Sequence, residues 1–258
     1  MTAEPGAAGG TAPVLELLAR RYGAGARGRD IGPEADGVVR AMPVVLRIER
    51  DPLPQRTALL EAAATAAVAV CTDPRAQPGG EWSDAVAPWV DGRIRKIARR
   101  ARGAHWRAVG ELPGVTVRVG DAQARALLPG PVDEAPKVVS RLQIGGTELP
   151  ADEPGPPDPD APLVLLSPRV EMTVGKAAAQ VGHATMLLAA LAGWPVGAAP
   201  VCAVRTADRA TWDRLCPAAD DGTDGVVGVR DAGFTEVDPG TMTCLALARA
   251  AFARTGQR

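Results

Sequence analysis

The chain has 258 residues, 46% of them hydrophobic, and a formal net charge of −1 at pH 7. This length suits one large domain or two small ones, and the composition is typical of a soluble globular protein. The N-terminus has no signal-peptide pattern and no apolar run is long enough to span a bilayer. We therefore expect a cytoplasmic protein that does not bind membranes.

Cysteine, serine and lysine usage narrows the chemistry. The four cysteines (Cys71, Cys202, Cys216 and Cys244) show neither CxxC nor Cys/His spacing, which predicts reduced thiols rather than a zinc site or disulfides. No serine lies in a GxSxG turn, which argues against a serine hydrolase. Only three of the 29 basic residues are lysines. Lys176 is therefore a candidate for a specific role.

Composition also predicts the domain boundaries. Residues 1–40 are rich in Gly and Ala and predict a flexible segment with one helical pattern, "VLELLARRY". Residues 150–161 are proline-dense and acidic, which predicts a linker. Two domains follow, at 41–149 and 162–258.

The second domain alternates between strand and helix patterns. We predict helices over 174–192 and 207–216, and strands over 162–166, 200–205, 225–230 and 241–248. This alternation favours an α/β fold, a three-layer sandwich with a small mixed sheet of about four strands.

The first domain is also predicted to be α/β, and one interpretation is that it is a degenerate copy of the second. Residues 42–70 align without a gap on 161–189, and 114–130 then resemble the strand and helix of 199–217. Alanine-rich helices align easily, so an unrelated α/β domain is the alternative.

Three polar side chains share one side of the predicted helix 174–192, because Lys176, Gln180 and His183 are spaced i, i+4 and i+7. Thr173 is the predicted N-cap, and Gly175 lets an anion approach the first-turn N–H groups. The alternative is a solvated face with a structural histidine. The aligned residues of the first domain are Thr57, Glu61 and Ala64.

A second polar group lies in the stretch "VRDAGFTEVDPGTMT", residues 229–243. Asp231 directly follows a predicted buried strand, where α/β proteins place reactive side chains. Three threonines supply hydroxyl groups: Thr235, Thr241 and Thr243. The alternative is that Asp231 caps a turn and the threonines only form strand.

Together, "GKAAAQVGHA" (175–184) and "DAGFTEVDPGTMT" (231–243) resemble the two motifs of the type-2 peptidyl-tRNA hydrolase family, over residues 161–250. The resemblance implies a carboxylic ester hydrolase that cleaves peptide from the 3′ ribose of tRNA, without metal or organic cofactor, and so recycles tRNA for translation. Bacterial type-1 enzymes with this activity rely on asparagine, which this chain lacks.

The resemblance also assigns site residues. The candidate catalytic residues are Lys176, Asp231, Thr235 and Thr243. The candidate substrate-binding residues are Gly175, Gln180, His183 and Thr241. Asp231 would orient and deprotonate a water, and Lys176 would stabilise the oxyanion or hold the terminal phosphate. His183 is not assigned as the general base.

Several positions depart from the family pattern. Val174 replaces a common second lysine, Phe234 and Glu236 replace Arg and Gln, and Ser167 and Arg169 replace Arg and Asp. Residues 161–258 hold nine basic and nine acidic residues, a weak balance for a tRNA-binding surface. The alternatives are an inactive member that binds tRNA or another RNA, and a protein-interaction module.

The first domain offers cations that would compensate. The stretch "DGRIRKIARRARGAHWRAV" (91–109) predicts one amphipathic basic helix. Its candidate tRNA-backbone contacts are Arg93, Arg95, Lys96, Arg99, Arg100 and Arg102. Because family members are usually homodimers, the resemblance implies one of two arrangements, an internal pseudo-dimer of the two domains or a homodimer of the chain.

Overall fold

The computed structural model describes residues 10–23, 34, 36–233 and 236–248. Its first element is α1, Pro13–Tyr22, which begins with a proline at its first position and buries Leu15 and Leu18 completely. Part of the segment predicted to be flexible is therefore packed in the core. Residues 1–9, 24–33 and 35 of that segment lie outside the described residues.

The first half of the described chain, up to residue 149, is built around a five-stranded mixed sheet in the order β2-β1-β4-β3, with β5 also paired to β1. Its strands are β1 (Arg40–Arg47), β2 (Lys96–Ala101), β3 (Gly114–Val119), β4 (Ala122–Leu127) and β5 (Gly130–Pro131). Its further helices are α2 (Arg56–Thr72), α3 (Ser83–Asp91), α4 (Gly103–Gly110) and α5 (Lys137–Ser140). β1 and β2 run parallel, and the other pairs are antiparallel.

The second half, from residue 162, is built around a four-stranded sheet in the order β7-β6-β9-β8. Its strands are β6 (Leu163–Leu166), β7 (Ala203–Thr206), β8 (Val226–Arg230) and β9 (Met242–Leu247). Its helices are α6 (Val174–Ala192) and α7 (Arg209–Asp221). The α/β class and the four-stranded mixed sheet predicted for this half are confirmed.

The two sheets share one topology. In each, a first strand pairs parallel with the second strand and antiparallel with the fourth, and the third pairs antiparallel with the fourth. The gapless alignment of the sequence places β1 on β6 and α2 on α6. This agreement supports the interpretation of the first half as a degenerate copy.

Two sequence interpretations in the first half are wrong. The stretch 91–109 is not one basic helix but strand β2 followed by the short helix α4. Residues 114–130 are not a strand and a helix but the β3–β4 hairpin, turned at Gly120 with φ 54°. The period-two alternation of Val115, Val117 and Val119 and the Gly-Asp turn favour that hairpin.

The halves meet through a central layer of helices. α2 packs on β3 and β4 and against α6, while α6 packs on β8 and β9 and against β2. One hydrophobic cluster includes residues of both halves. The outer face of the first sheet is covered by α4 and α5, and that of the second by α7. The domain bounds and the linker stay predictions.

Among the helices of the described chain, none combines the length and apolarity that crossing a membrane requires.

Candidate active site

The helix α6 begins where its sequence predicts. The side chain of Thr173 accepts a hydrogen bond from the backbone N–H of Lys176 at 3.2 Å, as an N-cap does. Val174, in place of the family's common lysine, is buried in the core. Lys176 thus occupies the first turn, on the side of α6 that faces β8 and β9.

Asp231 follows the end of β8 in a loop that the backbone holds closely. Its N–H donates to the carbonyl of Thr241 at 2.9 Å, and its carbonyl accepts from the N–H of Gly240 at 2.7 Å. The Oδ1 of Asp231 accepts from the N–H of Gly233 at 2.8 Å. Gly233 has φ 79°, a conformation that glycine adopts without strain. The loop therefore fixes the direction of the carboxylate.

Lys176 and Asp231 form a buried ion pair between Nζ and Oδ2. The side chain of Lys176 is 11% exposed and that of Asp231 is 4% exposed. The Nε2 of Gln180 donates to the same Oδ2 at 2.8 Å, and the hydroxyl of Thr243 donates to Oε1 of Gln180 at 2.7 Å. Four predicted site residues thus form one hydrogen-bonded network between α6, β8 and β9.

Three donors of the described residues contact the carboxylate of Asp231. A carboxylate has about four lone-pair sites, and Gly233, Lys176 and Gln180 occupy three of them. A buried carboxylate beside an ammonium group can orient and deprotonate a water and stabilise an anion.

His183 lies outside this network. Its Nδ1 is 3.2 Å from Nζ of Lys96, on β2 of the first half. Burial lowers the pKa of His183 well below its ordinary value, and the positive charges of Lys96 and Lys176 lower it further. The imidazole is therefore neutral at pH 7, and its Nδ1 pairs with the amine of Lys96.

The other predicted site residues have structural contacts or lie outside the described chain. The N–H of Gly175 donates to Oγ1 of Thr147 at 3.0 Å instead of facing solvent. Thr241 contributes its backbone carbonyl, which accepts from Asp231. Thr235 and its neighbour Phe234 lie outside the described residues.

Glu236 joins the Asp231 loop to α6. Its carboxylate accepts from the N–H of Thr173 at 3.0 Å and from the Thr173 hydroxyl at 2.8 Å. A carboxylate near the N-terminus of a helix is favourable because of the helix dipole. The residue that departs from the family pattern therefore anchors the loop to the start of the Lys176 helix.

The six cations predicted to contact tRNA do not form one face, because they lie in and around a strand. Lys96 and Arg100 are on the side of β2 that faces the central helices, while Arg99 lies on the opposite side and donates to the carbonyl of Leu142 at 2.8 Å.

The other predicted cations differ in their exposure and in their partners. Arg95 is paired with Glu34, Arg93 is partly exposed, and Arg102 is exposed. Within the described part of the chain, the guanidinium of Arg100 has a neutral partner, Gln143, rather than a carboxylate.

The first half has different residues and contacts at the corresponding positions. Thr57 stands at the position of Lys176, and its N–H and hydroxyl donate to the carboxylate of Asp152 at 2.9 and 2.7 Å. Glu61, at the position of Gln180, pairs with Arg205 of the second half at 2.7 Å. The two-residue turn Gly120–Asp121 stands where the second half has the Asp231 loop.

Sequence reasoning missed Thr147 and the anchoring role of Glu236. Thr147 precedes Gly175 by 28 residues in the chain, and no local pattern marks such a contact. Glu236 stands out in the sequence only as a departure from the family motif.

An α/β fold with a buried Lys–Asp–Gln–Thr network defines the second half as a candidate hydrolase domain. Residues 163–251 match the family model described as "Peptidyl-tRNA hydrolase PTH2". The resemblance to the type-2 family is thereby confirmed over this segment, and it supports a peptidyl-tRNA hydrolase-type domain. No curated protein and no solved structure matches the chain.

Proposed function

We propose that the second half hydrolyses the ester between a peptide and the 3′ ribose of tRNA, releasing peptide and tRNA for reuse in translation in the cytoplasm. The observation that carries this proposal is the buried pair of Lys176 and Asp231, held by Gln180 and Thr243. The family match over residues 163–251 supports the same substrate.

In this proposal Asp231 accepts the proton of a water that attacks the ester carbonyl, and returns it to the ribose 3′ oxygen when the intermediate collapses and the ester bond breaks. During the attack the carbonyl oxygen gains negative charge, and the ammonium of Lys176 leaves Oδ2 of Asp231 to stabilise it. Gln180 keeps the carboxylate in place, because its amide donates to Asp231 while its own oxygen is held by Thr243. Removing an oxyanion donor of this kind costs about a hundred- to a thousandfold in rate.

We further infer that the phosphates of tRNA are bound in part by the first half. Arg100 and Arg102 are the best candidates of the predicted six, since Arg102 is exposed and Arg100 is held by a neutral amide. Arg100 lies two residues along β2 from Ala98, whose methyl group is 3.6 Å from an ideal Cβ on Gly175. It therefore lies toward the end of α6 that carries Lys176.

Release of peptide from purified peptidyl-tRNA tests the proposal. We expect turnover by the wild type, and losses of at least about a hundredfold in kcat for Lys176→Ala and Asp231→Asn. Lys137→Ala is the matched control, because Lys137 is an exposed lysine on α5 of the first half. If the wild type releases peptide no faster than buffer alone, the proposed enzyme activity is rejected. The alternative is then an RNA-binding protein.

A further inference from the structure

We propose that Thr147, from the first half, is a positioning residue for the turn of α6 that carries Lys176. This inference rests on the hydrolase function proposed above. It assigns the degenerate half a defined part in the site of the other half.

Thr147 makes a close and buried contact with that turn. Its Oγ1 accepts the N–H of Gly175 at 3.0 Å, and the residue is 1% exposed. A Cβ on Gly175 would lie 3.1 Å from the same oxygen. The glycine before Lys176 thus allows a threonine of the other half to approach the backbone.

This contact meets a requirement of the helix end. The N–H groups of a first turn have no acceptor within the helix and need one from elsewhere. The N–H of Lys176 uses the Thr173 hydroxyl, that of Thr173 uses Glu236, and that of Gly175 uses Thr147. Of these three acceptors, Thr147 is the one that belongs to the first half.

Losing this acceptor would act on Lys176 through the backbone. A buried N–H without a partner is unfavourable, so the turn would shift to find water or another acceptor. Gly175 and Lys176 are adjacent, and such a shift would move the ammonium away from its place beside Asp231. Catalytic rates are sensitive to displacements of this kind.

The equivalent contact in the first half provides an internal comparison. Asp152 accepts from the N–H and the hydroxyl of Thr57 in the first turn of α2. That turn carries threonine where α6 carries Lys176, and it holds no part of the candidate site. A substitution at Asp152 therefore changes a helix end of the same kind without reaching the reacting groups.

The experiment compares Thr147→Val, Thr147→Ser and Asp152→Ala in the full chain. We expect kcat for peptidyl-tRNA hydrolysis to fall about ten- to a hundredfold in Thr147→Val, with KM changed less than about twofold because the residue does not touch substrate. Thr147→Ser keeps the hydroxyl and should restore kcat to within about threefold of the wild type. Asp152→Ala should keep the wild-type kcat while lowering the melting temperature.

Hydrogen exchange of the backbone over residues 174–182 gives a readout that does not depend on activity. Faster exchange in Thr147→Val, but not in Thr147→Ser or Asp152→Ala, supports the positioning role. Wild-type kcat and wild-type exchange in Thr147→Val would overturn it. If the wild type does not hydrolyse the substrate, the proposed function fails. The exchange measurement still shows whether Thr147 holds the first turn of α6.

Thr147→Ala replaces Thr147→Val if the valine variant does not fold. Alanine and serine at this position differ only in the hydroxyl. Equal kcat and equal exchange for that pair would also overturn the inference.

Discussion

The Nζ of Lys96, on β2, lies 3.2 Å from Nδ1 of His183, on α6. This contact joins the first sheet to the helix that carries Lys176. The Nζ of Lys96 also lies 5.2 Å from the centroid of the Trp89 ring. A Cβ placed on Gly182 would lie 3.1 Å from the Lys96 side chain. The amine of Lys96 is therefore enclosed where the two halves meet, with a neutral imidazole and an aromatic ring as neighbours.

We expect Lys96 to make stability depend on pH. Burial lowers its pKa from 10.5 to about 7, so the unfolded chain binds more protons between these values. Its stabilising contribution is present above the unfolded pKa and is lost as the pH falls toward 7. The lowered pKa of His183 acts in the same direction below pH 6.5.

Chemical denaturation at pH 7.0 and 8.5 measures this effect. The free energy of unfolding of the wild type should rise by roughly 1–2 kcal/mol relative to Lys96→Met over this interval. The variant is the reference because the buried thiols of Cys202 and Cys244, whose pKa values burial raises to about 12, titrate alike in both proteins. Parallel curves for the two proteins would contradict the prediction.

Gln180 should matter for rate more than for stability. Gln180→Leu removes the donor to Asp231 and leaves the Thr243 hydroxyl with the carbonyl of Val229 as its acceptor, at 3.1 Å. We expect kcat to fall about ten- to a hundredfold, as when a group that orients a catalytic residue is lost.

The matched control for that variant is Glu61→Gln, at the equivalent position of α2. It breaks the ion pair with Arg205, whose side chain is 20% exposed, and should lower stability by about 1–3 kcal/mol. Its kcat should stay at the wild-type value. A larger loss of kcat in Glu61→Gln than in Gln180→Leu would contradict our assignment of the site to the second half.

Glu236 is expected to anchor the Asp231 loop through hydrogen bonds rather than through its charge. Glu236→Gln keeps an acceptor oxygen for Thr173 and should retain kcat/KM within about threefold, whereas Glu236→Ala should lose about tenfold. Because Glu236 is exposed, both variants should unfold within about 0.5 kcal/mol of the wild type. Wild-type kcat/KM in Glu236→Ala would show that the anchor has no effect, and an equal loss in both variants would show that the charge of Glu236 is needed.

Binding of tRNA at several salt concentrations tests the two arginines of the first half. Arg100→Gln and Arg102→Gln should each weaken binding and reduce the slope of log K against log[salt] by about 1. Arg118→Gln removes an equal charge from an exposed position on β3, beside Asp121, and should leave the slope unchanged. If all three variants keep the wild-type slope, the first half does not contact the phosphates.

The second half could be predicted closely because its signals are local. A run of buried residues defines β6 where the sequence places it. The N-cap Thr173 and the C-cap Gly193 define the two ends of α6 in the same way. The family motifs then bring Lys176, Gln180, Asp231 and Thr243 to the same region. Their hydrogen bonds follow from the fold and not from their spacing.

The first half was harder to predict, for physical reasons. Around β2, the apolar residues Ile94, Ile97, Ala98 and Ala101 fit a helical period, but pairing with β1 makes this segment a strand. Tertiary contacts therefore override the local pattern. The contacts of Thr147 with Gly175 and of Glu61 with Arg205 join residues 28 and 144 positions apart, which no local periodicity encodes.

Both copies of the fold belong to one polypeptide, with α2 against α6 at the centre. The meeting of the copies is thus an intramolecular event with a high effective concentration, which dilution does not lower. In a symmetric homodimer every residue is present twice, once in each chain. In this polypeptide each residue is present once. The two halves can therefore differ at equivalent positions. α2 has Glu61, which pairs with Arg205, where α6 has Gln180, which contacts Asp231.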